Sequence, residues 1–383
     1  MPATAPDFIQ QLSQLIAAPS ISSNTASIDM SNRAVIDLLA NWLNDLGFRC
    51  EIIPLKSNPQ KANLIATLGT GTGGLVLSGH TDTVPYDAAR WQSDPFVLSA
   101  RENKFYGLGA TDMKGFFPIA IEAAKTFVGK KLEQPLIILA TADEESSMSG
   151  ARELVALGRP KARAAIIGEP TGLKAIRAHK GVMLEAVHVQ GRSGHSSNPA
   201  LGNNALEAMH FVLEDLLAFR ADLQARYNNP QFSVPVPTLN LGCIHGGDNP
   251  NRICGECEVH FDIRTLPDMN SDELRGQLHT RLQPLAEKLG VNISLRTLSA
   301  GLPAFSQSSD SELVKIAEKL TGHNSESVLF GTEGPYLQQL GMDTIVMGPG
   351  SIDQAHQPDE FLAQDQIEPA IAIYRQMIER YCL

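Results

Sequence analysis

The chain has few cysteines and no long apolar run, and both absences limit what it can be. It has five cysteines in 383 residues, an odd and scattered set that argues against a disulfide framework. No uninterrupted apolar stretch approaches the roughly twenty residues of a membrane-spanning helix. The first segment, MPATAPDFIQQLSQLIAAPS, also lacks the basic region of a signal peptide. These features predict a cytoplasmic protein without a membrane partner.

Positive charge is scarce relative to negative charge. The chain contains 31 Lys and Arg but 42 Asp and Glu, which gives a formal net charge of −11. Such an excess disfavours nucleic acids and anionic membranes as main partners, whereas a small substrate responds to the local field of its site.

With 43% hydrophobic and 19% charged residues the composition is that of an ordinary globular protein, and the length predicts two domains.

The spacing of apolar residues predicts an α/β fold that is interrupted by a second domain. Residues 1–177 and 299–383 alternate apolar strands with amphipathic helices, which predicts a catalytic domain with a central, mostly parallel sheet flanked by helices. Residues 178–298 predict an inserted α+β domain with an antiparallel sheet and two helices, at 203–227 and 271–289.

Five apolar runs break off into isolated His, Asp or Glu residues. The runs are GLVLSGHTD (74–82), FYGLGATDMKG (105–115), PLIILATADEE (135–145), AAIIGEP (164–170) and DTIVMGPGSIDQAHQ (343–357). All but the second predict buried strands, and ligands gather at the carboxyl ends of strands in open α/β sheets. The residues collected there are His80, Asp112, Glu144, Glu145, Glu169 and His356. Two imidazoles with several carboxylates suit divalent metals, zinc above all, so the pattern predicts a two-metal hydrolase.

Each of these residues also has an ordinary structural interpretation. His80 and Asp82 lie two residues apart in an extended chain and face the same way, so Asp82 could orient a ligating His80 or simply cap a turn. Asp112 could be a helix cap. Glu144 and Glu145 could form a solvated acidic loop, or one could bind metal while its neighbour acts as a base. Recurrence at successive strand ends favours the metal interpretation.

The same segments carry a family resemblance. SGHTDTVP, YGLGATDMKG, ATADEE, IGEPT, GRSGHSSNP and GPGSIDQAHQPDE resemble, in this order, the zinc-dependent family of aminoacylases, carboxypeptidases and desuccinylases. Longer segments, such as TLNLGCIHGGDNPNRICGECEVHFDIRTLP, are similar to members that hydrolyse the acetyl amide of N2-acetyl-L-ornithine in arginine biosynthesis. The alternatives are desuccinylation of succinyl-diaminopimelate and broad deacylation of N-acyl amino acids. Ser147 replaces a glycine common in the family, a difference that touches no expected ligand.

The resemblance implies a role for each residue at the strand ends. One zinc ion would be held by His80, Asp112 and Glu169, and the other by Asp112, Glu145 and His356, with cobalt as a plausible substitute. Asp82 would orient His80, and Glu144 would be the general base. The resemblance also implies a cis peptide bond after Asp112. Residues 178–298 would form a lid and dimerisation domain, which makes a homodimer the expected assembly.

The inserted region supplies the remaining expected roles. His195 in GRSGHSSNP resembles the family histidine that stabilises the oxyanion from the partner subunit, although a turn capped by serine is the alternative. Cys254 and Cys257 look like half a zinc knuckle, but no second pair follows, so a structural or incidental role is expected.

Recognition of the amino-acid part of the substrate calls for an arginine, which can bind a carboxylate with two parallel hydrogen bonds. Arg264 in HFDIRTLP resembles the family's carboxylate-binding arginine, although it could instead be a solvated strand residue. Further candidates are Arg252, Asn251 and Lys180. Glu333 in GTEGP could meet the substrate ammonium group or cap a helix.

Overall fold

A computed structural model describes residues 5–383, which form two compact units. The first unit comprises the described residues up to Arg177 together with Gln307–Glu326 and Thr332–Leu383. The second unit comprises Ala178–Ser306 and Ser327–Gly331. The region expected to be inserted, 178–298, lies within the second unit, and its function as a lid and dimerisation domain stays a prediction.

The described residues form nine α-helices and sixteen β-strands. The helices are α1 (Phe8–Ile16), α2 (Arg33–Asp45), α3 (Phe116–Lys125), α4 (Ser149–Leu157), α5 (Ala205–Arg226), α6 (Ser271–Leu289), α7 (Glu312–Thr321), α8 (Gly334–Gln339) and α9 (Ile367–Cys382). The strands are β1 (Arg49–Pro54), β2 (Ala62–Leu68), β3 (Leu75–His80), β4 (Ser99–Arg101), β5 (Lys104–Tyr106), β6 (Leu136–Thr141), β7 (Ala164–Pro170), β8 (Ile176–His179), β9 (Gly181–Gln190), β10 (Thr238–Gly246), β11 (Glu256–Thr265), β12 (Asn292–Thr297), β13 (Phe305–Ser306), β14 (Glu326–Val328), β15 (Asp343–Gly348) and β16 (Phe361–Ala363). No helix of the described chain is both long enough and apolar enough to cross a membrane.

Six strands of the main sheet lie in the first unit and follow one another in the order β1-β2-β6-β3-β7-β15. The four strands β6, β3, β7 and β15 run parallel to one another, and β2 and β1 continue the sheet beyond β6 in antiparallel fashion. Every residue of β3, β6 and β7 is buried, as expected for strands whose two faces are covered. Helices α3 and α9 contact β3, and α2 contacts β1 and β2. The predicted mostly parallel sheet flanked by helices is therefore confirmed.

A three-stranded antiparallel sheet, with the order β16-β5-β4, also belongs to the first unit. Sequence patterns did not predict it, because three-residue strands are too short to show a periodic burial pattern. The rings of Tyr106 in β5 and Phe361 in β16 lie 5.4 Å apart between centroids. This sheet brings the chain on either side of residue 361 next to the loop that begins at residue 107.

The second unit contains a four-stranded antiparallel sheet in the order β10-β11-β9-β12. Buried and more exposed residues alternate along β11, because one face of the sheet packs against α5 and α6. Asn204 and Asn270 cap these two helices by accepting hydrogen bonds from backbone N–H groups of their first turns. The predicted α+β composition of this region, including both helices, is confirmed.

Candidate metal centre

Four of the expected site residues are delivered by the parallel strands of the main sheet. His80 is the last residue of β3, and Glu169 is the residue before the end of β7. Glu144 and Glu145 lie in the turn that follows β6. Because neighbouring parallel strands end at the same edge of a sheet, these side chains meet there.

Two of these strands carry a glycine directly before the candidate ligand, and both glycines make room for α3. A Cβ atom on Gly79 would lie 2.8 Å from Cδ1 of Phe116, and one on Gly168 would lie 2.0 Å from Cδ2 of the same ring. Phe116 is the first residue of α3. The helix can therefore pack against the strand ends beside His80 and Glu169 only because those two positions have no side chain.

Asp112 lies between the two histidines. Its Oδ1 atom is 3.0 Å from Nε2 of His80, and its Oδ2 atom is 3.5 Å from Nε2 of His356. The same His80 nitrogen lies 3.6 Å from Oε1 of Glu169, and the same His356 nitrogen lies 3.1 Å from Oε2 of Glu145. One carboxylate therefore faces two separate groups of ligand atoms, which is the geometry expected of a shared ligand.

Ligand atoms close enough to hold a metal ion occur in two overlapping groups. Within each group all ligand atoms lie within 4.8 Å of one another; the groups are His80, Asp112, Glu145 and His80, Glu144, Glu169. Glu144 thus lies within ligand distance as well as Glu145. The distinction between Glu144 as a base and Glu145 as a ligand stays a prediction from the family resemblance.

The charge of the site calls for cations. Burial, reinforced by neighbouring carboxylates, raises the pKa values of Glu144 and Glu169 well above the usual value and also raises that of Glu145. Hydrogen bonds to Asp112 and Glu145 raise the pKa of His356 to about 10. Burial alone would raise the pKa of Asp112, yet its hydrogen bonds with His356 and His80 hold that pKa below the usual value.

These residues fit divalent metal ions. Buried carboxylates repel one another unless a cation offsets their charge, and imidazole with carboxylate is a ligand set that zinc and similar ions prefer. Two buried carboxylate oxygens near the site, Oδ1 of Asp82 and Oε1 of Glu333, also have no hydrogen-bond partner in the described part of the chain. The donor set therefore supports metal binding at this edge of the sheet.

Asp82 contacts His80 differently from the expected arrangement. Nδ1 of His80 lies 3.0 Å from the backbone carbonyl oxygen of Asp82 and 3.7 Å from its carboxylate Oδ1. The other carboxylate oxygen, Oδ2, accepts a hydrogen bond of 3.0 Å from the backbone N–H of Glu145. The main chain of Asp82 therefore makes the hydrogen bond to His80, and its side chain holds the turn that carries Glu145.

Asp143 shapes that turn, although sequence analysis did not single it out. Its buried carboxylate accepts hydrogen bonds from the ammonium group of Lys61 and the hydroxyl groups of Ser22 and Ser149. Its carbonyl oxygen accepts hydrogen bonds from the backbone N–H groups of residues 147 and 148. In the Asp-Glu-Glu sequence the first acid therefore fixes the backbone, and the following two are free to face the site.

Glu360 is a second residue that sequence analysis missed. Its carboxylate accepts hydrogen bonds from the backbone N–H groups of Gly109, Thr111 and Asp112. No local sequence signal marks this contact, because its partners lie 248 to 251 residues earlier in the chain.

The peptide bond between Asp112 and Met113 is cis, as the family resemblance implied.

Glu333 lies near Glu144 and Glu169 within the first unit and is 1% exposed. The hydroxyl group of Thr141 donates a hydrogen bond of 2.9 Å to its Oε2 atom. Burial raises the pKa of Glu333 to about 7, and its charge in turn raises the pKa values of Glu144 and Glu169.

Three expected site residues lie together in the second unit. His195 is exposed, and its Nδ1 atom is 2.7 Å from the hydroxyl oxygen of Ser197. His195 and Arg252 face each other across an isolated β-bridge, and the carbonyl oxygen of Asn251 accepts a hydrogen bond from the backbone N–H of Ser196. Arg252 also forms an ion pair with Asp248.

Lys180 and Arg264 form a different group in the second unit. The ammonium group of Lys180 donates a hydrogen bond of 2.6 Å to the carbonyl oxygen of Val236. Burial lowers the pKa of Lys180, and the nearby charge of Arg264 lowers it further. Nε of Arg264 lies 3.3 Å from Oδ1 of Asp262.

The two cysteines at 254 and 257 are buried free thiols, and neither belongs to a potential metal group among the described residues.

Comparison with known proteins gives consistent findings. The model of Peptidase family M20/M25/M40 matches residues 76–380. The chain is 49% identical to an acetylornithine deacetylase of Pasteurella multocida (strain Pm70) over 377 residues, 98% of either chain. It is 50% identical to an acetylornithine deacetylase of Proteus mirabilis (strain HI4320) over 378 residues, 99% of this chain and 97% of the relative.

Two solved structures share the fold. A tripeptidase from Staphylococcus aureus superposes with a TM-score of 0.74 at 18% identity and covers 99% of both chains. An M20 family metallo-carboxypeptidase from Sulfolobus solfataricus also gives a TM-score of 0.74 at 18% identity, covering 98% of this chain and 99% of the other. At this identity the likeness shows the architecture alone.

Proposed function

The chain belongs to Peptidase family M20/M25/M40, a family of metal-dependent hydrolases, and we propose that it hydrolyses the acetyl amide of N2-acetyl-L-ornithine to L-ornithine and acetate. Nearly half of its residues are identical, over almost the whole length, to those of proteins named acetylornithine deacetylase. The observation that carries the reaction class is the position of Asp112 between His80 and His356. The name acetylornithine deacetylase implies a reaction of arginine biosynthesis. We expect the protein to act in the cytoplasm.

We propose that two zinc ions bind at the edge of the main sheet, with cobalt as a possible replacement. Asp112 would be shared; the other ligands would be His80 and Glu169 for one ion, and Glu145 and His356 for the other. When bound, such ions supply Lewis acidity, which polarises the scissile carbonyl group and makes water more acidic.

Glu144 would carry the proton through the reaction. It lies within ligand distance of His80 and Glu169. A carboxylate at this place would accept a proton from the attacking water and deliver it to the amine nitrogen that leaves. Asp82 would support this exchange indirectly, because its carboxylate holds the backbone of Glu145.

Polar groups of the second unit, together with Glu333 of the first unit, would recognise the substrate and the oxyanion. Arg264 would bind the α-carboxylate, with Arg252, Asn251 and Lys180 as further candidates. Glu333 would meet the ornithine ammonium group, since one of its buried carboxylate oxygens has no partner in the described chain. His195 would stabilise the oxyanion that forms in the active site of the partner subunit. This role requires a homodimer.

Steady-state kinetics with three substrates would test this proposal. Metal-stripped protein should be inactive, and addition of zinc or cobalt should restore hydrolysis of N-acetylornithine. N-succinyl-diaminopimelate and N-acetylmethionine serve as comparison substrates because they represent the alternative activities. A higher kcat/KM for either of them would contradict the substrate assignment, and full activity of metal-free protein would contradict the reaction class.

A further inference from the structure

We propose that Glu360 is a positioning residue, whose buried carboxylate fixes the backbone of residues 109–112 so that Asp112 can face both histidines. This inference rests on the proposed function of Asp112 as the ligand that two metal ions share. The carboxylate of Glu360 accepts its hydrogen bonds from backbone N–H groups, so it would act on the metal centre through the backbone of Asp112.

The contact between Glu360 and this loop consists of three hydrogen bonds. Oε1 accepts from the backbone N–H of Thr111 at 2.7 Å and from that of Asp112 at 2.9 Å. Oε2 accepts from the backbone N–H of Gly109 at 3.0 Å. Glu360 is 1% exposed, so water does not compete for these bonds. Hydrogen bonds to a buried carboxylate are stronger and shorter than those between neutral groups, and three of them restrict the loop strongly.

Glu360 is itself held in place by the small antiparallel sheet. Its carbonyl oxygen accepts a hydrogen bond of 3.1 Å from the backbone N–H of Gly107. The next residue, Phe361, pairs with Tyr106 in the sheet, and its carbonyl oxygen accepts a hydrogen bond from the hydroxyl group of Thr111. The loop before Asp112 is therefore attached to the chain around residue 360 both through backbone bonds and through the Glu360 side chain.

The far side of the loop is attached to a different part of the first unit. The ammonium group of Lys114 is buried and donates hydrogen bonds of 3.1 Å and 2.7 Å to the carbonyl oxygens of Leu15 and Ala18. Asp112 thus lies between two fixed points. Because its backbone is held by other residues, its side chain can keep both oxygens directed at His80 and His356.

The same loop provides a metal ligand and the residue that positions a second ligand. His356 and Glu360 both lie between β15 and β16. A movement of this loop would therefore displace His356 and the backbone of Asp112 together. Glu360 couples the two ligands to each other, which a surface carboxylate in an ion pair would not do.

Glu360→Gln tests the inference with little change in volume. The amide keeps one carbonyl oxygen as an acceptor but places an NH2 group against a backbone N–H donor, so at least one of the three hydrogen bonds is lost. We expect zinc affinity, measured by competition with a chromogenic chelator, to fall about tenfold to a hundredfold, the effect typical of residues that orient metal ligands. The visible absorption of the cobalt form should change, and kcat should fall more than KM rises.

The matched control is Glu51→Gln, the same substitution at a surface carboxylate that pairs with Arg159. It should leave zinc affinity, the cobalt spectrum and kcat unchanged. Glu360→Asp keeps the charge but shortens the side chain, and we expect it to fall between wild type and Glu360→Gln in zinc affinity. The proposal is wrong if a folded Glu360→Gln protein keeps wild-type zinc affinity and cobalt spectrum. It is also wrong if neither Glu360 variant folds, because the residue would then be needed for stability and not for position.

Metal binding is measured without any substrate, which separates this inference from the proposed function. If wild-type protein binds two metal ions but does not hydrolyse N-acetylornithine, the substrate assignment fails and the role of Glu360 can still be decided. If wild-type protein binds a single ion, Asp112 is not a shared ligand and the inference falls.

Discussion

The carboxylate of Asp82 accepts a hydrogen bond from the backbone N–H of Glu145, with 3.0 Å between Oδ2 and the nitrogen. This bond joins the segment directly after β3 to the turn after β6, and so it fixes two segments that carry proposed ligands to each other. The imidazole of His80 contacts the Asp82 carbonyl oxygen, at 3.0 Å from Nδ1. Asp82 thus supports one proposed ligand with its main chain and another with its side chain.

Substitutions of Asp82 should separate these two contacts. Asp82→Asn keeps an oxygen that can accept from Glu145 N–H, and it keeps the backbone carbonyl, so we expect activity within about tenfold of wild type. Asp82→Ala removes the acceptor for Glu145, and we expect metal affinity and kcat/KM to fall about tenfold to a hundredfold. Chelator competition and steady-state kinetics would measure both. Equal losses in the two variants would show that the negative charge near His80 matters more than the bond to Glu145.

Glu144 should be essential for turnover but not for metal binding. Glu144→Ala removes the proposed proton carrier and leaves His80, Asp112, Glu145, Glu169 and His356 in place. We expect kcat to fall by about two to four orders of magnitude, the usual contribution of a positioned acid–base group. Metal analysis should still find the wild-type content. Loss of metal together with activity would mean that Glu144 is a ligand, as its distance to His80 and Glu169 permits.

The ion pair between Lys61 and Asp143 should contribute strongly to stability. Both side chains are nearly buried, with 5% and 10% of their surfaces exposed. Lys61→Met would leave the Asp143 carboxylate buried without its cation. We expect this to lower the free energy of unfolding by about 3 kcal/mol or more. Urea unfolding would measure this loss.

The control for Lys61 is Lys174→Met, which breaks an exposed ion pair with Glu326 in the same unit. Exposed pairs contribute about 0 to 1 kcal/mol, so this variant should unfold almost like wild type. Because Asp143 shapes the turn that carries Glu144, Lys61→Met should also lower kcat at temperatures where it remains folded. A stability of Lys61→Met equal to that of Lys174→Met would contradict the assignment.

His195 should act across a subunit boundary. If it stabilises the oxyanion of its partner, a heterodimer of His195→Ala and Glu144→Ala protomers contains one site in which both residues are intact. Each homodimeric variant should lose about a hundredfold or more in kcat, while the mixture should regain part of the wild-type activity. Differently tagged protomers would allow purification of the heterodimer. Absence of any regain in purified heterodimers would exclude a site shared between subunits.

The sequence by itself determined the main sheet of the first unit and the kinds of residue that lie at its edge. Apolar runs such as residues 75–77 and 136–140 predict buried strands from local composition alone. A polar residue at the end of such a strand, as at His80, is expected at the edge of the sheet. These inferences need no knowledge of distant contacts, because the spacing of apolar residues and the length of a strand can be read from adjacent residues.

Only the tertiary structure decided how those residues are held. Glu360 reaches Asp112 across 248 residues, and Lys61 reaches Asp143 across 82 residues, so neither pairing leaves a local pattern. The contact of His80 with the carbonyl oxygen of Asp82 also came only from the structure, since alternation along a strand gives a side chain's direction but not its hydrogen-bond partners. Which carboxylates position the backbone and which face the site depends on three-dimensional packing, because the same side chain serves either purpose.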